Sequence, residues 1–402
     1  MDRDDEARGL FERRVRELCA PGHRGSASEG ERRAAGYLVD ELRALGLEAG
    51  LEPFAGPATH AWLLLLPVLT AALGLALLWV TPWAAILLGL LALVSLMLEG
   101  TTRAELLGRL VPRRPSQNVV ARVPARGEPL RRLVVLAHYD TQRTGWIFNE
   151  GIVHHVAPLM DRSPGPLKSP LFLPQLAMLM QVVAGIVALV RPDSAVVDVA
   201  LVVGAVVYGI TLALLLQWAF SPYGPGAADN ASGTAAVLAL VERWLALGEE
   251  RAEDVELVAL LTGCEETGLV GATAWVKAHA DELPLTFLNL DTLGHGRPRF
   301  VGREHSISGW PAFYPPQALL ACHEAADRLD LVNAGPHSLP LPTDAMAFLT
   351  RDIPGASVLC FEEGGRFPDY HQQSDTPERM DLAVAWRGVE LGWEVLRGLA
   401  RG

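Results

Sequence analysis

Hydrophobic positions along this chain fall into two regimes. In the first they form short continuous runs, at residues 133–137 (LVVLA), 255–261 (VELVALL), 285–290 (LTFLNL) and 357–361 (SVLCF). Apolar runs of this length, bounded by polar turns, read as strands buried on both faces. Amphipathic stretches alternate with them at about 232–247, 269–280, 316–330 and 382–399. An opening amphipathic stretch at 9–47 is interrupted by PGHRGSAS at 21–28, and Ser28 with Glu31 three residues on reads as a capping box that restarts the helix. Strands alternating with helices predict an α/β fold: a three-layer sandwich around a mostly parallel, mixed sheet.

In the second regime the apolar stretches are much longer. Residues 61–80 carry no charge, Thr81-Pro82 makes a turn, and 83–98 form a second, shorter run. Residues 171–190 and 196–220 flank another turn at Arg191-Pro192-Asp193. A membrane-crossing helix needs about 20 apolar residues, so the pattern predicts two transmembrane hairpins, four helices in all. Trp62, Trp79 and Trp83 stand where interfacial aromatics belong. The expected organisation is then an α/β domain in three parts, 1–60, 100–170 and 221–402, interrupted by hairpins at 61–99 and 171–220.

Composition sharpens this picture. Half of the residues are hydrophobic and only 20% are charged, which agrees with membrane segments and a lipid bilayer as partner. A formal net charge of −12 argues against nucleic acid, which needs a basic footprint. The four cysteines (Cys19, Cys264, Cys322 and Cys360) are widely spaced and form no CxxC pair, so free thiols are expected. The charged start MDRDDEARGLFERR does not read as a cleaved signal peptide. Arg43, Arg103, Arg109, Arg113, Arg114, Arg162 and Lys168 flank the hairpins on the domain side, against Arg191 alone at the turns. The positive-inside rule then places the α/β domain in the cytoplasm.

Chemistry gathers behind the short strands. His138-Tyr139-Asp140 follows the first, Glu265-Glu266 the second, Asp291 the third, and a loop with His371 the fourth; Asp229 opens the helix after the second hairpin. In open parallel sheets, binding sites form at the carboxyl ends of strands. Two imidazoles and three carboxylates without a thiolate suit two divalent metals, zinc above all, provided that one carboxylate bridges. Paired metals about 3.5–4 Å apart polarise a carbonyl and activate a water, and a further carboxylate must take its proton. The neighbours Glu265 and Glu266 can supply one base and one ligand.

The pieces LAHYDT, GAADNASGTAAV, GCEETGLVGA, LNLDTLG, PTDAMAF and YHQQSDTPE, with the opening HRGSASEGERRAAGYLVDELRALGLE, resemble the zinc exopeptidases that include bacterial leucyl aminopeptidases, glutamate carboxypeptidase and glutaminyl cyclase. The resemblance covers the chain apart from its long apolar tracts. It implies the phosphorylase/hydrolase-like fold of that family. It also implies that His138 and Asp291 bind one metal, that Glu266 and His371 bind the other, and that Asp229 bridges them. Glu265 would be the general base and Asp140 would hydrogen-bond His138 and fix its tautomer. Asp344 would support the site from outside. A cis peptide is implied at Asp229–Asn230. For the oxyanion, Tyr314 and His337 are the candidates.

The expected activity is hydrolysis of N-terminal residues from short peptides by a membrane-embedded two-zinc aminopeptidase. Carboxypeptidase activity, glutaminyl cyclisation on one zinc and a non-catalytic membrane scaffold are the alternatives. The chain departs from its soluble relatives in placing its second hairpin between His138 and Asp229, so both hairpins grow out of the catalytic fold itself.

Overall fold

A computed structural model describes residues 3–101, 104–151 and 169–401. Of the residues singled out above, Arg103, Arg162 and Lys168 lie outside these. At the centre is a sheet in the order β1 (Ala49–Pro57), β2 (Arg113–Val123), β4 (Val255–Thr262), β3 (Arg131–His138), β5 (Leu285–Asp291), β9 (Gly355–Phe361), β6 (Arg297–His305), β7 (Pro311–Phe313), with β8 (His337–Leu339) also paired to β6. The four central strands, β4, β3, β5 and β9, run parallel. Strands β1 and β2 on one side, and β6 and β7 on the other, pair antiparallel. The central strands are the four apolar runs of the sequence.

Alternation along these strands divides their side chains between two cores, because successive residues point to opposite faces. Leu133, Val135 and Ala137 pack with α1 (Arg3–Cys19), α2 (Glu29–Ala44), α7 (Gly233–Ala246) and α11 (Leu382–Arg401). Val134 and Leu136 pack on the other face with α8 (Val270–His279) and α10 (Ala345–Leu349). A further helix, α9 (Pro316–Arg328), packs beside α11 through Ala318, Cys322 and Ala325. The sandwich thus has its three layers.

The predicted capping box forms only in part. The Ser28 hydroxyl accepts from the Glu31 N–H at 3.4 Å and starts α2. The Glu31 carboxylate, however, does not close the box on Ser28. It accepts instead from Ala27 N (3.0 Å), Ser116 Oγ (2.8 Å) and Cys264 N (3.0 Å), tying α2 to the loop after β4. All four cysteines are free and buried.

The long apolar tracts form α3 (His60–Ala76), α4 (Pro82–Gly100), α5 (Phe172–Ala188) and α6 (Ala195–Phe220), which pack on one another through a separate apolar cluster. Gln181 of α5 is their polar pin: its amide donates to the Ala85 carbonyl at 3.0 Å and accepts from the Tyr208 hydroxyl at 2.9 Å. Among the described residues, only α4 and α6 are long and apolar enough to cross a membrane; α3 and α5 have 17 residues each. The length criterion therefore supports two spans among the described residues in place of the four expected from the sequence. The turns at Leu77–Thr81 and Leu189–Ser194 end the shorter helices early.

Candidate metal centre

Each central strand ends at the same edge and delivers one part of the site. His138 is the last residue of β3 and Asp291 the last of β5. Glu265 and Glu266 follow β4, and His371 lies in the loop after β9. Asp229 stands in the turn at Ala227–Ser232 that leads into α7, where Asp229 and Asn230 leave helical backbone angles and their peptide bond is cis. Gly233 begins α7 directly behind this turn. A Cβ there would collide with the Leu290 carbonyl oxygen and the Asn230 side chain. Gly233→Ala is expected to cost about 1–3 kcal/mol, as overpacking of a tight core does, and thermal unfolding will register it.

Asp229 occupies the middle of the cluster. Its Oδ1 is 3.2 Å from His138 Nε2 and its Oδ2 is 3.1 Å from His371 Nε2. His138 Nε2 is also 3.7 Å from Asp291 Oδ1, and His371 Nε2 is 3.2 Å from Glu266 Oε2. The sets His138–Asp229–Asp291 and Asp229–Glu266–His371 each bring three donor atoms within 4.8 Å of one another, all from buried residues. Glu266 Oε1 is buried with no hydrogen-bond partner among the described residues. Two donor sets thus share one carboxylate, with one oxygen turned to each.

Electrostatics agree with a site built for cations. Burial works against a charged imidazole at His371, yet the Glu266 and Asp229 carboxylates outweigh it and push the group up to about 9. His138 is raised well above its ordinary range, against its burial, by Glu265, Asp140, Asp229 and Asp291. Burial pushes Glu265 well above the usual carboxylate range; His138 opposes the shift and the Glu266, Asp344 and Asp291 carboxylates add to it. So many buried acids need positive charge nearby, and the donor types (imidazole and carboxylate) suit zinc. The buried donor cluster fits zinc.

The surrounding residues hold these donors in place. Asp140 acts on His138 differently from the expectation: it is its backbone carbonyl that lies 3.2 Å from His138 Nδ1. The Asp140 carboxylate, 3.6 Å from that nitrogen, accepts from Glu265 N (3.0 Å), Glu266 N (3.3 Å) and Ser26 Oγ (2.5 Å). It therefore fixes the Glu265-Glu266 backbone. Asp344 is buried behind the site, accepts from the Thr262 hydroxyl, and is raised to about 7, first by burial.

Asp375 had no role in the sequence reading. Its carboxylate accepts from Ala228 N (2.7 Å) and Asp229 N (3.0 Å) and so seats the turn that carries Asp229. Its contribution depends on a contact across 146 positions, which no local pattern reveals. Asp375→Asn is expected to weaken metal binding about 10–100-fold, as loss of an outer-shell partner does; equilibrium dialysis measures this.

A cleft of about 350 Å³ opens above the donors. Glu265, Asp229, Asp291 and His371 face it from the floor, and Leu339, Pro340, Leu341, Pro342, Phe148 and Phe367 form apolar walls. Neither oxyanion candidate lines it. The Tyr314 hydroxyl is engaged with Ser357 Oγ (2.6 Å) and Glu304 (3.3 Å) in a buried network, and His337 Nε2 pairs with Arg299 (2.8 Å) and the Asn333 carbonyl (3.1 Å). Tyr370 is on the cleft instead. Its ring stacks on His371 at 3.7 Å between centroids, and its phenol is held well above its ordinary range by burial and by the Asp229, Glu266, Glu265 and Asp291 carboxylates.

Residues 213–395 match the sequence profile of Peptidase family M28. No curated protein matches the chain. Among solved structures, a Zn-dependent exopeptidase from Parabacteroides distasonis is similar over 98% of this chain and 97% of its own, with a TM-score of 0.54 and 12% identity. A zinc aminopeptidase from Bacillus subtilis covers 96% and 94% (TM-score 0.55, 13% identity), and a glutaminyl cyclase from Tannerella forsythia 99% and 98% (0.55, 15%). The chain has the fold of these proteins, and the profile match over its carboxyl-terminal part supports a zinc metallopeptidase.

Proposed function

We propose that this chain is a two-zinc aminopeptidase that removes N-terminal residues from short peptides beside a lipid bilayer. The observation that carries the reading is Asp229, whose two oxygens face His138 and His371 while Glu265 faces the cleft. His138, Asp229 and Asp291 would hold one ion, and Asp229, Glu266 and His371 the other. Zinc held there would supply Lewis acidity toward the scissile carbonyl and a water. Glu265 accepts the proton of that water and returns it to the departing amine. The Tyr370 phenol, on the same cleft, donates a hydrogen bond to the developing oxyanion. The apolar walls at Leu339–Pro342 exclude water and receive the side chain of the residue removed.

The test is metal content per chain together with turnover. Two zinc ions per chain and hydrolysis of aminoacyl-anilides are expected. One zinc with cyclisation of N-terminal glutamine would instead identify a cyclase, and neither metal nor turnover a scaffold.

Support for the bilayer comes from the outer surface of the four apolar helices. Helix α6 is mostly unburied, and Leu73, Leu87, Leu173 and Val202, one on each of the four helices, are each at least 56% exposed. Each large apolar side chain left in water forgoes about 1.5–3 kcal/mol, so a surface lined with them needs an apolar solvent. The basic residues Arg43, Arg109, Arg113 and Arg114 favour a cytoplasmic position for the catalytic domain. The purified chain is expected to float with liposomes in a density gradient and to stay bound at high salt and at alkaline pH. Recovery in the aqueous fraction would refute membrane insertion.

A further inference from the structure

A histidine that binds a metal through one nitrogen usually donates the other N–H to a carboxylate, a carbonyl or a water, and that bond fixes the ring. His138 has such a partner in the Asp140 carbonyl. His371 does not. Its Nε2 faces Asp229 and Glu266, but its Nδ1 is buried without a hydrogen-bond partner among the described residues. The backbone gives little help, because His371 sits at φ 54°, in the left-handed region that a non-glycine residue seldom occupies.

What the ring has instead is an aromatic box. Tyr370 stacks on one face at 3.7 Å with 23° between planes. Phe148 meets it edge-on, with centroids 4.4 Å apart and planes at 87°. Phe148 belongs to the single turn Trp146–Phe148, which lies between β3 and the second helical hairpin. It is itself held edge-on by Trp218 of α6 at 5.3 Å, and its carbonyl accepts from the Gln372 side chain at 2.5 Å, next to His371.

We propose that Phe148 is a positioning residue for His371, the packing of its ring against the imidazole standing in for the absent hydrogen bond to Nδ1. Through Trp218, the seating of α6 then sets the affinity of the ion held by Glu266 and His371. The inference rests on the two-metal reading above.

The test is stepwise removal of zinc by a chelator, with metal per chain counted by native mass spectrometry. In Phe148→Ala and Phe148→Leu, one of the two ions is expected to leave at about 10–100-fold lower chelator strength, and the other at the wild-type value. Phe148→Tyr keeps the ring and should behave as wild type, as should Trp146→Ala in the same turn, whose side chain is exposed. Wild-type retention of both ions in Phe148→Leu would overturn the proposal, since filling the volume would then suffice. So would equal weakening of both ions, which marks a loosened fold. A wild-type protein with fewer than two ions would instead sink the two-metal reading, and this inference with it.

Discussion

Glu265→Gln is expected to lower kcat about 10³–10⁴-fold while both metal ions stay bound. The side chain lines the cleft beside the donors, and its backbone N–H is anchored to Asp140 Oδ1 at 3.0 Å, so the amide will take the same position. An amide cannot accept the proton from water or return it to the leaving amine. In the proposed scheme Glu265 is not a ligand, and metal content should not fall. Turnover of an aminoacyl-anilide, measured beside zinc per chain, checks both halves. Retained activity would remove Glu265 from the mechanism. Loss of metal together with activity would make it a ligand.

Asp229→Ala is expected to release both ions. Its carboxylate is the one group common to the two donor sets, with an oxygen 3.2 Å from His138 Nε2 and another 3.1 Å from His371 Nε2. Each set then keeps two donors in place of three. Losing an outer-shell partner already costs about 10–100-fold in affinity, and loss of a direct ligand should exceed this at both sites. Zinc per chain after dialysis against a weak chelator should approach zero, and thermal unfolding should no longer respond to added zinc. By contrast, Asp291→Ala should weaken one ion only. Equal retention of one ion in Asp229→Ala and Asp291→Ala would show that Asp229 does not bridge.

Much of the site was legible because its residues follow strong local signals. His138 and Asp291 end apolar runs, Glu265 and Glu266 follow another, and a parallel sheet brings such ends to one edge. The edges of the sheet were harder to read. Strand β1 contains two prolines and two glycines, and β6 carries Arg297, Arg299 and Arg303; both lack the apolar run that marks a strand buried on two faces. Helix length was misread in the apolar tracts, since hydropathy alone does not reveal where α3 and α5 end.

The oxyanion candidates show a different limit. Tyr314 and His337 carry suitable chemistry, but hydrogen bonds to Ser357, Glu304, Arg299 and Asn333 occupy them away from the cleft. Tyr370, adjacent to His371 in sequence, was overlooked because nothing local says which way its ring turns.

By itself, then, the sequence determined the parallel centre of the sheet, the apolar character of the four inserted helices and the donor types behind each strand, all properties of neighbouring residues. Tertiary structure decided which donors meet. Asp229 lies 91 positions from His138 and 142 from His371, and only the fold puts its oxygens between them. It also decided what holds them, from Asp375 under the Asp229 turn to Phe148 against His371, because such contacts join distant segments through packing and hydrogen bonding that periodicity does not encode.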